Sequence, residues 1–153
     1  MRSVDFARLL LKSLGNKLPV DLEQLARNLV IDVELADLGA VDGSLQCSNG
    51  RNLIVLNRRR TLPRRRFTLA HEIGHLLLSP HSPLDLTPEP LIDEEHAANL
   101  FAVELLMPER AVRDLWLLYS GNPTHRLHLM AERLLVSRKA LRLRLQEMGY
   151  LKV

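Results

Sequence analysis

A chain of 153 residues with 46% apolar and 25% charged side chains has the composition of one folded domain, which excludes a disordered polypeptide. A single cysteine, Cys47, excludes an internal disulfide and a thiolate-rich zinc site, so any metal must be held by histidine and carboxylate. The net charge of +3 is segregated: six arginines fall between Arg58 and Arg66, whereas Asp85 to Asp114 holds eight acids and only two bases, Arg110 and Arg113.

Met1 to Leu14 sets Val4, Phe6, Leu9, Leu10 and Leu11 among Asp5, Arg8 and Lys12, which predicts a short amphipathic helix and not a signal peptide. No apolar run reaches bilayer-spanning length, so the expected compartment is the cytoplasm and no membrane partner is expected. Gly15 and Asn16 stop this helix. Leu18-Pro19-Val20-Asp21 then leads to the N-cap of a second helix, about Leu22 to Leu29, with Leu22, Leu25, Ala26 and Leu29 on one face. From Val30 the pattern alternates: Val30, Ile31, Val33 and Leu35 predict a strand, Leu45-Gln46-Cys47 a second, and Asn52 to Asn57 a third. The tight turns at Asp42-Gly43 and Ser48-Asn49-Gly50 predict an antiparallel meander.

Thr61-Leu62-Pro63 opens a helix expected to end near Ser79-Pro80, after which Pro80, Pro83, Pro88 and Pro90 keep the chain extended or looped. Further helices are predicted from Leu91 to Met107, from Pro108-Glu109 to about Tyr119, and as a pair on either side of Val136-Ser137 between Leu127 and Tyr150. The predicted class is α+β, a small three-stranded antiparallel sheet packed against several helices. Residues 1–123 form the core in this reading, and 124–153 a helical, helix-turn-helix-like tail packed on it.

The chemistry is concentrated at His71-Glu72-Ile73-Gly74-His75. Two histidines four positions apart on a helix lie about 40° apart around its axis, so both rings reach one metal ion, while Glu72 stands on the rim of that face. This is the arrangement of a zinc hydrolase, in which two imidazoles hold Zn²⁺ and a carboxylate activates water. The flanking Phe67, Leu69, Ala70, Ile73, Leu76, Leu77 and Leu78 predict a largely buried helix, in which a glutamate and two histidines need partners.

Two residues compete to be the third protein ligand. His81 follows His71 by ten residues, the metzincin spacing, but Leu78 stands where that pattern has glycine. Glu95 is twenty residues beyond His75 on the acidic, alanine-containing helix, as the downstream glutamate is in thermolysin-like sites. Asn99, one turn later on the same face, is placed to orient a ligating histidine. Glu94 and His96 point about 100° to either side of Glu95.

Arg66-Phe67-Thr68-Leu69-Ala70-His71-Glu72-Ile73-Gly74-His75-Leu76-Leu77-Leu78, followed by Glu95-His96-Ala97-Ala98-Asn99-Leu100-Phe101-Ala102 and Leu105-Leu106-Met107-Pro108, resembles the ImmA/IrrE-type metallopeptidases over nearly the whole chain. The resemblance implies a zincin-like fold, with His71, His75 and Glu95 as zinc ligands and Glu72 as catalytic base. It also implies the substrate class: helix-turn-helix repressors of the XRE type, whose cleavage derepresses stress-response or mobile-element genes. Mn²⁺ or Fe²⁺ suits the same ligand set. The alternative expectation is a non-catalytic antirepressor or antitoxin-like protein acting by protein or DNA contact.

Two basic stretches bear on partners. Arg58, Arg59, Arg60, Arg64 and Arg65 read either as a solvated loop or as an electrostatic guide for an acidic segment of the repressor or for DNA phosphate. In the tail, Ser137 is an expected N-cap and Arg138, Lys139, Arg142 and Arg144 follow it, so Arg142 and Arg144 are candidate contacts for weak DNA binding. Leu135 occupies the turn position that often favours glycine. His81, Tyr119, His125 and His128 are unranked candidates for a further oxyanion partner.

Overall fold

A computed structural model of the chain describes residues 2–78 and 92–153. His81 and the proline-rich stretch around it lie outside the described residues. In chain order the elements are α1 (Ser3–Ser13), α2 (Leu22–Asn28), β1 (Ile31–Ala36), β2 (Gly43–Ser48), β3 (Arg51–Asn57), α3 (Leu62–Leu78), α4 (Ile92–Leu106), α5 (Glu109–Leu118), α6 (Pro123–Leu134) and α7 (Arg138–Glu147).

The sheet is mixed, which corrects the expectation of an antiparallel meander. Its order is β1-β3-β2, with β1 parallel and β2 antiparallel to β3. The reason lies in the strand compositions. Leu53-Ile54-Val55-Leu56 is a continuous apolar run suited to a strand with neighbours on both sides, and Ile54, Val55 and Leu56 are buried. β2, with Gly43, Ser44, Gln46 and Ser48, is too polar for the centre and takes an edge. β2 and β3 form a two-residue hairpin through Asn49 and Gly50, both at positive φ (52° and 75°), as a type I′ turn requires.

The link from β1 to β2 is anchored by Asn57, which is fully buried at the end of β3. Its amide donates to the carbonyls of Gly39 and Val41 at 2.9 and 2.8 Å, and its side-chain oxygen accepts from the backbone of Arg59.

Helix α3 lies against the sheet and α4 lies against α3. Their approach is close because residue 74 is glycine: a Cβ there would lie 3.0 Å from Phe101 Cδ1 and 3.2 Å from Ala98 Cα. α4 is the central helix of the core, with Ala98, Phe101, Ala102, Leu105 and Leu106 all fully buried. Burying such side chains is worth about 1.5–3 kcal/mol each for the larger ones, and this is the main term holding the helices on the sheet.

One acid interrupts the apolar stretch from Leu100 to Leu106 of this helix. Glu104, with a side chain only 3% exposed, accepts from Arg8 Nε of α1 at 3.0 Å and from Arg144 Nη2 of α7 at 2.5 Å. Helices α1 and α7 are thereby tied to the same carboxylate. The turn between α6 and α7 places Leu135 in the left-handed region (φ 54°), and Ser137 caps α7 by accepting from the backbone of Ala140 at 3.0 Å. No helix of the described residues is long and apolar enough to cross a membrane.

Candidate metal centre

The site is built where α3 and α4 touch. Thr61 opens α3, accepting from the backbone of Arg65 at 2.9 Å, and no proline follows Pro63 before the helix ends, so the i to i+4 geometry holds through His71 and His75. The Nε2 atoms of the two rings are 3.0 Å apart and the ring planes are inclined at 80°. From α4, Glu95 Oε2 lies 3.2 Å from His71 Nε2, and Oε1 lies 2.5 Å from His75 Nε2. Ala98, whose backbone meets Gly74, is three residues after Glu95 and shares its side of α4, so the glycine brings the carboxylate onto the histidines.

These residues fit a divalent ion. Ligands about 2.0–2.1 Å from a tetrahedral zinc are roughly 3.3 Å from one another. The histidine nitrogens are 3.0 Å apart and the two Glu95 oxygens lie one against each of them, at 3.2 and 2.5 Å, so a nitrogen, nitrogen, oxygen donor set converges within reach of one ion. Among the described residues this is the only such group of histidine, cysteine and acid side chains. The histidine side chains are 17% and 15% exposed and Glu95 is 48% exposed, so the cluster is seated in the protein and open on the Glu95 side. The Nδ1 atom of His71 is buried without a hydrogen-bond partner.

Glu72 stands next to the pair. Its burial pushes the carboxyl above the ordinary glutamate range; His75 and His71 pull it back, and Glu95 adds to the rise. A carboxylate so placed is a better proton acceptor than an exposed one.

Asn99 is exposed one turn beyond Glu95, and no hydrogen bond among the described residues joins it to either histidine. Tyr119 is partly buried against the core, His125 is exposed, and His128 faces Glu132 at 3.3 Å.

The arginine run is divided. Arg59 pairs with Asp37 at 2.9 Å, and Arg60 and Arg64 both pair with Asp42, at 2.8 and 3.0 Å. Arg60 above all, then Arg64, holds the Asp42 carboxyl below the usual range against the opposing effect of its burial. Arg58 is exposed and Arg65 half-buried, neither in an ion pair among the described residues. In the tail, Arg142 is exposed, whereas Arg144 is turned inward, 13% exposed, donating to Glu104 and to the Met107 carbonyl.

Two residues that shape the site were not singled out by sequence reasoning. Gly74 sets the approach of α4, and its signal was a glycine inside an otherwise strong helix. Glu104 anchors α4, and its signal was a lone acid among Leu100-Phe101-Ala102-Val103 and Leu105-Leu106-Met107.

Known proteins share this fold and family. A solved structure described as a Mycobacterium tuberculosis transcriptional regulator shares the fold at a TM-score of 0.68 and 17% identity, covering 94% of this chain. This chain spans 46% of the length of that one. No curated protein matches. The family of IrrE N-terminal-like domains, peptidase family M78, matches residues 26–146. That match covers most of the chain, which therefore belongs to this family of peptidases.

Proposed function

We propose that the chain is a zinc-dependent endopeptidase of the cytoplasm that cuts a helix-turn-helix repressor of the XRE type and so derepresses stress-response or mobile-element genes. The observation that carries the catalytic part is the convergence of His71, His75 and Glu95 on one point with a half-buried glutamate, Glu72, beside them. His71, His75 and Glu95 would hold the ion, zinc in this reading, with Mn²⁺ or Fe²⁺ suited to the same donors. When bound, such an ion polarises a peptide carbonyl and acidifies water.

The chain's own residues do the rest. Glu72 takes a proton from the attacking water as the new carbon–oxygen bond forms, and returns it to the amide nitrogen as the carbon–nitrogen bond breaks. Its burial favours the first transfer, and the proton then passes on because the amide nitrogen becomes strongly basic as its bond to carbon breaks. The extended substrate would pair with β2, which has a strand neighbour on one side only and begins against Thr68 of α3. Arg58 and Arg142 are exposed cations that would meet an acidic segment of the repressor or, weakly, DNA. The description of the similar Mycobacterium tuberculosis structure as a transcriptional regulator is in keeping with a role in transcription.

Two variants test this. Glu72→Gln should fold and keep its metal while losing cleavage of an XRE-type repressor, and Glu95→Gln should lose metal as well. Undiminished derepression by Glu72→Gln with no cleavage product would replace the peptidase with a non-catalytic antirepressor.

A further inference from the structure

Behind the metal centre α3 carries a second feature. Leu62, Arg65, Arg66 and Leu69 centre roughly 150° around the helix axis from His71 and His75. They close one side of a groove of about 540 Å³ whose other walls are α2 and β1. Val33, Leu35 and Leu62 line it while 39%, 53% and 48% exposed. An edge strand showing two apolar side chains on one face is unusual unless something covers it.

The polar groups in this groove are out of balance. Arg66 donates one hydrogen bond, to the Val20 carbonyl at 2.9 Å, and forms no ion pair among the described residues. Arg65 forms neither, and the Nε atoms of both are buried without a partner. Burial pushes the Arg66 guanidinium below the usual arginine range, and Asp21 and Glu23 offset this only at a distance. Of the two acids lining the groove, Glu23 forms no ion pair among the described residues and Asp32 is engaged by Arg51 at 3.1 Å. Two partly desolvated guanidinium groups beside apolar side chains lack a paired carboxylate of the kind that ordinarily accompanies such charges.

We propose that this groove is a docking site for a segment of a partner protein in which an acidic side chain is flanked by apolar ones. The carboxylate seats on Arg65 and Arg66, where arginine's fork geometry suits it. The apolar neighbours cover Leu22, Val33, Leu35 and Leu62. A nucleic acid is the poorer fit, since the groove offers no aromatic ring for a base and would leave its leucines against phosphate. The site lies on the opposite face of α3 from the histidines and does not depend on the peptidase reading.

The test is selection from a displayed library of random peptides on the full chain, followed by fluorescence anisotropy of the enriched peptides as synthetic probes. Enriched sequences should place Asp or Glu beside Leu, Ile, Val or Phe. They should lose at least about ten-fold in affinity on Arg65→Gln/Arg66→Gln and when their acid is changed to its amide. Because Arg66 also holds the Val20 carbonyl, Leu35→Lys is the second variant; its side chain is 53% exposed, so it should fold normally and weaken binding by a similar factor. No enrichment, enrichment without acids, equal binding to both variants, or displacement of the probe by a single-stranded oligonucleotide at equal concentration would each overturn the proposal.

Discussion

Gly74→Ala probes how the candidate metal centre is assembled. The added methyl would stand 3.0 Å from Phe101 Cδ1, 3.2 Å from Ala98 Cα and 3.3 Å from the Ala98 carbonyl oxygen, where carbon contacts settle at roughly 3.5–4.0 Å. Phe101 is fully buried and Ala98 is met at its backbone, so neither gives way alone, and α4 must move off α3 by a few tenths of an ångström. For folding the effects nearly offset: alanine is about 1 kcal/mol better than glycine inside a helix, and overpacking costs about 1–3 kcal/mol. The metal site has less latitude, since ligand distances are held to about 0.2 Å. The expected result is a metal-free protein whose Tm falls by no more than about 6 °C and whose zinc affinity falls at least about ten-fold, an effect of the size seen when groups supporting a metal ligand are lost. Chelator competition measures the affinity, and melts with and without zinc separate it from stability. Wild-type affinity in a variant that melts normally would refute the idea that the glycine contact sets the position of Glu95.

Three other substitutions test the frame. Val30 is 68% exposed and β-branched at φ 56°, a conformation costing about 1–2 kcal/mol, so Val30→Gly should raise Tm by about 2–4 °C in a thermal melt. Glu104→Gln leaves Arg144 buried without its countercharge and should cost about 3–5 kcal/mol in urea unfolding, with much of the loss recovered when Arg144→Met is added. The Asp42 carboxyl is held low by Arg60 and Arg64, so its contribution is complete above the ordinary aspartate value of about 3.9 and is lost as the pH falls through its depressed folded value. Asp42→Asn should therefore be less stable than wild type near neutrality, and the gap should close in acid unfolding below that range.

Features set by neighbours in sequence were readable before the structure was in hand. The helices, their caps at Asp21 and Ser137, and the placing of His71 and His75 on one face all follow from spacing within a turn or two. The strands were readable singly but not in their order, because the parallel pairing of β1 with β3 depends on which strand the whole core buries. Charge shows the same division. The density of arginines between Arg58 and Arg66 is plain in the sequence, but the acids that engage Arg59, Arg60 and Arg64 lie about twenty residues upstream, at Asp37 and Asp42. Arg144 sits in a basic run, and only the packing of α7 on α4 turns it inward. Glu95 was selected by its distance along the chain from His75; what brings it within 3.2 Å of both rings is the glycine contact between two helices.

The double tether of Glu104 has a consequence in time. Its partner in α1 precedes it by 96 residues and its partner in α7 follows it by 40. On a ribosome, the helix bearing Glu95 emerges well before α7, with a buried acid matched by one guanidinium of its two. A chain halted before Arg138 would carry His71, His75 and Glu95 and lack the Arg144 brace on the helix that presents Glu95. The order of synthesis thus leaves the helix bearing Glu95 without its second guanidinium until α7 has emerged behind it.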